Sequence, residues 1–175
     1  MRVVSGKYKN RILKSFPGQL VRPTSGIVRK SIFEILQPLT NKTILDLFSG
    51  IGGVGIEALS RGAYQVTFVE KNKKVSKILS DNHNAVCADD NYNIIIKDAY
   101  LFLESHTKKY DIIFADPPYG LIGFNDLKFM VSDLLNYGGI FCMETRRRDN
   151  KDKYKDVKIK NYGKTQIIIW EKKEK

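Results

Sequence analysis

A chain of 175 residues, 42% hydrophobic and 28% charged, fits one domain with a real core and leaves little room for a second large one. No apolar run nears the ~20 residues of a membrane helix, the start Met1-Arg2-Val3-Val4-Ser5-Gly6-Lys7 alternates like a strand and not like a signal peptide, and Cys87 and Cys142 are too isolated for a disulfide framework or a metal site. A cytoplasmic protein off the membrane is expected, and the net charge of +11 makes a polyphosphate partner a natural reading.

Residues 1–16 read as a β-hairpin, with Val3-Val4 and Ile12-Leu13 as apolar pairs around the turn-prone Ser5-Gly6 and Lys9-Asn10. There is no acidic residue before Glu34, whereas Arg2, Lys7, Lys9, Arg11, Lys14, Arg22, Arg29 and Lys30 all fall in that stretch, so nucleic acid is the expected partner of this end. After Pro17-Gly18 and Arg22-Pro23-Thr24, the residues Ile27, Val28, Ser31, Ile32, Ile35 and Leu36 recur at helical spacing behind Ser25, a candidate N-cap.

From residue 43 short apolar strands alternate with helical segments. Strands are expected over 43–48, 65–70, 92–97, 110–115 and 139–144, and helices over 54–61, 73–84, 99–104 and 124–135. That alternation predicts an α/β fold, a mostly parallel sheet with helices on both faces, whose ligands bind at the carboxyl ends of the strands. Residues 157–160 and 165–170, joined through Tyr162-Gly163, add an antiparallel hairpin at the sheet edge. The basic block from Arg146 to Lys160 has Asp149, Asp152 and Asp156 interleaved, which leaves a solvated surface and an RNA contact both open. His83 and His106 fall at no strand end and are expected on the surface.

The chemistry collects at the strand ends. Asp46-Leu47-Phe48-Ser49-Gly50-Ile51-Gly52-Gly53-Val54-Gly55 leaves the first strand of the α/β unit and opens its first helix, and Gly50, Gly52 and Gly55 spell G-x-G-x-x-G. Glu70 ends the next strand, where an acid holds a ribose diol, so a nicotinamide-dinucleotide oxidoreductase has to be considered. Asp46 stands against it, because a pyrophosphate would find a repulsive neighbour there. A cofactor with an ammonium and a sulfonium, S-adenosyl-L-methionine, matches Asp46 and Glu70 together. Asp98-Ala99 ends the third strand; Asp98 reads as a helix N-cap, a contact to the adenine amine, or both. Asp116-Pro117-Pro118-Tyr119 closes the run 111–115. Two prolines make a stiff turn with free carbonyls between a carboxylate and an aromatic ring, which either merely ends the strand or floors a pocket for an amine-bearing base.

These residues together resemble the class I S-adenosylmethionine-dependent methyltransferases that act on exocyclic amines. Met1-Arg2-Val3-Val4-Ser5-Gly6-Lys7-Tyr8-Lys9, Arg22-Pro23-Thr24, the segment from Val28 to Leu36 and Glu57-Ala58-Leu59-Ser60-Arg61-Gly62-Ala63 resemble the bacterial 16S rRNA guanine-N2 methyltransferases of the small ribosomal subunit. Asn10 stands where that family often has glycine and Gly26 where it commonly has an acid, so local differences are expected at both. The resemblance implies a Rossmann-like, seven-stranded sheet, with residues 1–24 as an RNA-contacting hairpin extension and 25–175 as the methyltransferase domain. It implies S-adenosylmethionine held by Asp46, Phe48, Ser49, Gly50, Gly52, Glu70, Lys71, Asp98, Ala99 and Asp116. Asp116, Pro117, Pro118 and Tyr119 would be catalytic, and Arg2, Lys7, Lys9, Arg11, Arg22, Thr24 and Arg29 would contact 16S rRNA, in a monomer working on a small-subunit particle. A DNA or RNA adenine-N6 methyltransferase shares the Asp-Pro-Pro-Tyr turn and is the alternative.

Overall fold

The computed structural model describes residues 1–16, 25–147, 154 and 156–174. The helical spacing after Ser25 becomes α1 (Gly26–Leu36), and the Ser25 side chain accepts the Val28 N–H as its N-cap. Then follow β1 (Thr43–Leu47), α2 (Gly53–Ser60), β2 (Gln65–Val69), α3 (Lys73–Cys87), β3 (Tyr92–Ile95), α4 (Ala99–Ser105), β4 (Tyr110–Ala115), α5 (Phe124–Ser132), β5 (Leu135–Arg146), β6 (Val157–Tyr162) and β7 (Thr165–Glu171). The seven strands lie in the order β3-β2-β1-β4-β5-β7-β6. Strands β1 to β5 pair in parallel, and β7 runs antiparallel between β5 and the edge strand β6, as the C-terminal hairpin predicts.

The order reverses between β1 and β4, whose neighbouring tips are Leu47 and Ala115. In an open parallel sheet that switch point leaves a crevice at the carboxyl edge. One face is covered by α1, α2 and α3 through Val28, Ile32, Leu59 and Leu79, and the other by α4 and α5 through Phe102, Leu127 and Val131. Burying such apolar side chains contributes roughly 1.5–3 kcal/mol each, so both helical layers are held firmly.

The N-terminal hairpin closes, but with a single ladder bridge, Arg2 opposite Ile12. Around it Val3 N–H donates to the Arg11 carbonyl at 3.0 Å and Leu13 N–H to that of Met1 at 2.8 Å. Val3 and Leu13 enter the core beside α1 and α2, while Ile12 is 65% exposed. Asn10 adopts φ 71, the left-handed conformation that glycine also takes, so the turn needs no glycine there. At Gly26 a Cβ would meet only Val4 at 3.9 Å, and the helix start accommodates either residue. Gly6 is different: its Cβ would lie 1.9 Å from the Ser60 carbonyl oxygen, so the hairpin rests on α2 through a backbone contact only glycine permits.

Four expectations change. The buried stripe of α1 is Val28, Arg29, Ile32, Phe33 and Leu36, leaving Ile27 76% exposed. The helix expected to reach residue 135 ends at Ser132, and β5 starts at Leu135, bulging against β4 through Gly138 at φ 72 before it pairs regularly from Ile140. His83, expected on the surface, is fully buried and stacks on Tyr92 with ring centroids 3.4 Å apart. His106 is half-buried between Phe102 and Tyr110. Both histidines have their pKa lowered by burial first, which keeps them neutral at physiological pH. Cys87 and Cys142 are free and buried, and among the described residues no helix is long and apolar enough to cross a membrane.

Candidate active site

A cavity of about 390 Å³ opens at the carboxyl edge of the sheet, over the switch point. Its floor and walls include Phe48 and Gly50 after β1, Glu70 and Lys71 after β2, Ala99 at the start of α4, the run Asp116 to Tyr119 after β4, and Glu144 on β5. The sheet order therefore brings residues at or near the ends of all five parallel strands, β1 to β5, to one cavity.

The loop after β1 is shaped by its glycines and by a strained residue. Gly50 has φ 55 and Gly52 φ 86, and a Cβ on Gly52 would fall 2.2 Å from Leu79. Gly55 lets α2 lie against the sheet, since its Cβ would meet the Phe68 ring at 2.1 Å. Phe48 takes φ 57, a left-handed conformation uncommon for a bulky side chain, and its ring lines the cavity against the edge of Tyr100. Strain held at a cavity wall points to a ligand that uses that wall.

Glu70 anchors the opposite side. Its carboxylate accepts the Gly50 N–H at 3.0 Å and the Asn72 N–H at 2.8 Å, which fixes its position and leaves lone pairs for a ligand. The Gly50 N–H, which a dinucleotide fold would offer to a pyrophosphate, is thus already given to a carboxylate. That commitment argues against a phosphate in this loop more directly than the position of Asp46 does.

Asp46, Ser49, Gly52 and Asp98 have structural tasks and do not line the cavity. Asp46 is 2% exposed and accepts the Gly55 N–H at 3.0 Å, tying the start of α2 to β1. Ser49 is buried, donates to the Asp46 carbonyl at 2.5 Å and accepts the Val69 N–H at 2.9 Å, so it pins the loop to β2. Asp98 is the N-cap of α4, accepting the Tyr100 N–H at 2.9 Å. Its neighbour Ala99 reaches the cavity; Lys71 pairs with Asp98 at 3.9 Å from the rim.

Burial is the largest influence on Asp46 and lifts its carboxyl from the ordinary 3.8 to about 7, with the Gly55 N–H opposing and the Glu70 charge adding. The folded protein then holds a proton that the unfolded chain has released. This group's contribution to stability is complete below about pH 3.8 and is lost as the pH rises through about 7. Asp46→Asn keeps an oxygen for the Gly55 N–H and removes the titration. Urea unfolding midpoints are expected to favour the variant increasingly between about pH 5 and about pH 8. A constant difference over that range would refute the assignment.

The Asp116-Pro117-Pro118-Tyr119 turn closes off β4 at the cavity. Asp116 follows the last paired residue of β4, its N–H directed at the Leu47 carbonyl at 3.5 Å, and is half-buried. Pro117 is buried, and Leu121 N–H donates to the Pro118 carbonyl at 3.0 Å to close the turn, with Gly120 at φ 82. Tyr119, 44% exposed, stands at the mouth.

On the basic side Arg2, Lys9 and Arg11 are exposed, whereas Lys7 is paired with Asp90. Arg29 is 2% exposed, donates to the Arg2 carbonyl at 2.6 Å, contacts the Met1 sulfur, and feels the charges of Glu57 and Glu144. It is a buried brace between α1 and the hairpin and not a surface contact. Arg22 and Thr24 lie outside the described residues, as do Arg148, Lys151, Lys153 and Lys155 of the C-terminal block. Cavity residues not expected from the sequence are Val69, Asn72, Val75, Lys97 and Glu144. Glu144 ends an expected strand, so the rule that found the other acids also selects it.

The chain is similar to the Bacillus subtilis protein YlbH, 38% identical over 123 residues, which are 68% of this chain and 67% of that protein. It is similar to the ribosomal RNA small subunit methyltransferase D of Haemophilus influenzae, 32% identical over 68% of this chain and 64% of the relative. The match thus spans about two thirds of these relatives' length. The fold superposes on that of the Escherichia coli protein yhhF with a TM-score of 0.86 and 26% identity, covering 100% of this chain and 99% of the other. Matched from residue 1 to residue 171 by the family model, the chain belongs to the family described as conserved hypothetical protein 95.

Proposed function

We propose that the chain is an S-adenosylmethionine-dependent methyltransferase that modifies the exocyclic N2 amine of a guanine in the 16S rRNA of the small ribosomal subunit. The observation that carries this reading is the Asp116-Pro117-Pro118-Tyr119 turn facing one cavity with a Glu70 carboxylate already fixed by the glycine loop. The named Haemophilus influenzae relative supports rRNA of the small subunit as the substrate.

The donor set fits that cofactor and not a dinucleotide. Glu70 presents acceptors suited to a ribose diol, Phe48 and Ala99 give apolar walls, and the loop N–H of Gly50 is spent on Glu70. Bound there, S-adenosylmethionine supplies an electrophilic methyl group on a sulfonium. The protein's part lies at the amine. A guanine amine lone pair is delocalised into the ring and nucleophilically weak. The Asp116 carboxylate and the Pro117 carbonyl accept its two N–H groups, draw them out of the ring plane and localise the lone pair. The Asp116 carboxylate or water then takes the proton that the alkylated nitrogen sheds. Tyr119 stacks on the base, worth about 1–3 kcal/mol, and the base enters splayed out of its helix.

The hairpin side, residues 1–24, contacts RNA through Arg2, Lys9 and Arg11, and residues 25–175 carry the transfer. Arg29 drops out of that interface because it is buried. Glu70→Ala removes two acceptors for backbone N–H groups and the ribose contact. Calorimetric titration is expected to show cofactor affinity weakened by more than about tenfold, while NAD shows no heat with either protein. Unchanged affinity in the variant would remove Glu70 from the cofactor site. Incubating small ribosomal subunits with labelled cofactor and mapping the methylated base tests the whole reading; label on an adenine N6 would replace it with the adenine alternative.

A further inference from the structure

We propose that Glu144 reads the edge of the target base, accepting the ring N1–H that guanine has and adenine lacks. This rests on the guanine-N2 reading above and assigns it a selecting residue. The placement comes from strand register. Phe114 lies opposite Cys142 and Ala115 opposite Met143, the last pair of the ladder, and Asp116, just past the end of β4, and Glu144 on β5 are the residues that follow that pair. Alternation along a strand puts Phe114 and Asp116, and Cys142 and Glu144, on one face. That is the face covered by α1, since Phe114 and Cys142 share a core cluster with Ile32 and Phe33. Adjacent strands are roughly 4.8 Å apart, so the two acids are side by side. Glu144 is 5% exposed and still lines the cavity together with the Asp116 turn.

A buried carboxylate at a cavity wall needs a reason, because burying an anion is costly unless it is compensated. The charge of the buried Arg29 guanidinium acts on Glu144 and supplies part of that compensation. As a carboxylate Glu144 is an acceptor only. In guanine the N1–H donor is the ring neighbour of the C2 amine. A base whose amine is held by Asp116 presents N1–H to the next position along the wall, where Glu144 stands. Adenine presents a lone pair at N1, which a carboxylate repels. The two acids thus divide the work: Asp116 holds the reacting amine, and Glu144 rejects a base of the wrong edge.

The test uses reconstituted small subunits carrying guanine or 2-aminopurine at the mapped position. 2-Aminopurine keeps the N2 amine and has a bare acceptor at N1. The parent protein is expected to prefer guanine by at least about 10²-fold in kcat/KM, since a site built to bind an N–H rejects an analogue without one. In Glu144→Gln, whose amide N–H can donate to the bare N1, the preference is expected to fall below about tenfold, with cofactor affinity near the parent's. A parent that does not discriminate overturns the proposal, and that arm needs no variant to fold. Equal losses on both substrates in Glu144→Gln would make Glu144 only a partner of Arg29. Methylation of adenine in place of either base by the parent would overturn the guanine reading itself, an outcome distinct from the other two.

Discussion

Asp116→Ala is expected to lower methyl transfer by about 10²–10⁴-fold while leaving cofactor affinity within about threefold of the parent's. The size follows from two losses at one atom pair. The variant gives up a preorganised acceptor for the amine, and also the base that takes up its proton. The backbone should survive, because the turn is set by Pro117, by Pro118, and by the Leu121 N–H donating to the Pro118 carbonyl at 3.0 Å, none of which involves the Asp116 side chain. Asp116→Asn keeps one oxygen acceptor without the charge and should fall between the parent and the alanine variant. Single-turnover transfer of labelled methyl to small subunits separates this from product release, and calorimetry reports the cofactor. An undiminished single-turnover rate in Asp116→Ala would take the residue out of the chemistry.

The sheet was legible because its strands are short apolar runs bounded by clear stops, and because strand-helix alternation admits few topologies. The strand-end rule then pointed to Glu70 and Asp116, both of which line the cavity. It placed Asp46 and Asp98 on the same edge, where Asp46 braces the loop to α2 and Asp98 caps α4, one of the roles open to it, since spacing does not tell a carboxylate that faces a cavity from one that caps a helix or braces a loop. Both kinds sit at strand ends, and the difference lies in which backbone N–H groups are within reach. Arg29 misled for a related reason: a basic residue in an acid-free stretch reads as surface, yet it lies beside Val28 and one turn before Ile32 and Phe33, on the buried stripe. His83 carried a signal that went unused. With Val75, Leu79 and Val86 it completes the apolar face of α3, so helical spacing alone puts it inside. The start of β5 was hidden because Leu134-Leu135 continues a helical pattern as well as it opens a strand, an ambiguity that short apolar runs always carry.

Glu57→Ala is expected to destabilise the fold by about 3–5 kcal/mol, the cost of breaking a buried ion pair from one side. Glu57 lies on α2, fully buried, and its carboxylate accepts three donors from two parts of the chain. Val4 N–H reaches Oε2 at 2.7 Å, while Ser5 N–H at 2.9 Å and the Arg61 Nε–H at 2.8 Å reach Oε1. Alanine leaves a buried guanidinium without its carboxylate, the Arg61 side chain being only 6% exposed, and two backbone N–H groups without acceptors. It also leaves a cavity under the hairpin. The loss should not be uniform. Residues 1–16 hold to α2 through Glu57, through Ser60, whose hydroxyl donates to the Ser5 carbonyl at 2.6 Å, and through the Ser60 carbonyl, which accepts the Lys7 N–H at 2.8 Å. With the carboxylate gone the hairpin should open before the sheet does, and amide exchange at Val3 and Leu13 should quicken more than at Ile113 in the central strand β4. The hairpin carries the exposed Arg2, Lys9 and Arg11, so the same variant should weaken RNA binding while cofactor affinity stays near the parent's. Glu57→Gln, which retains one oxygen acceptor, should lose roughly half as much stability. Urea unfolding measures the first effect and residue-resolved exchange the second; a loss below about 1 kcal/mol, or exchange that quickens equally in the hairpin and in β4, would mean the N-terminal segment is held by its apolar contacts alone.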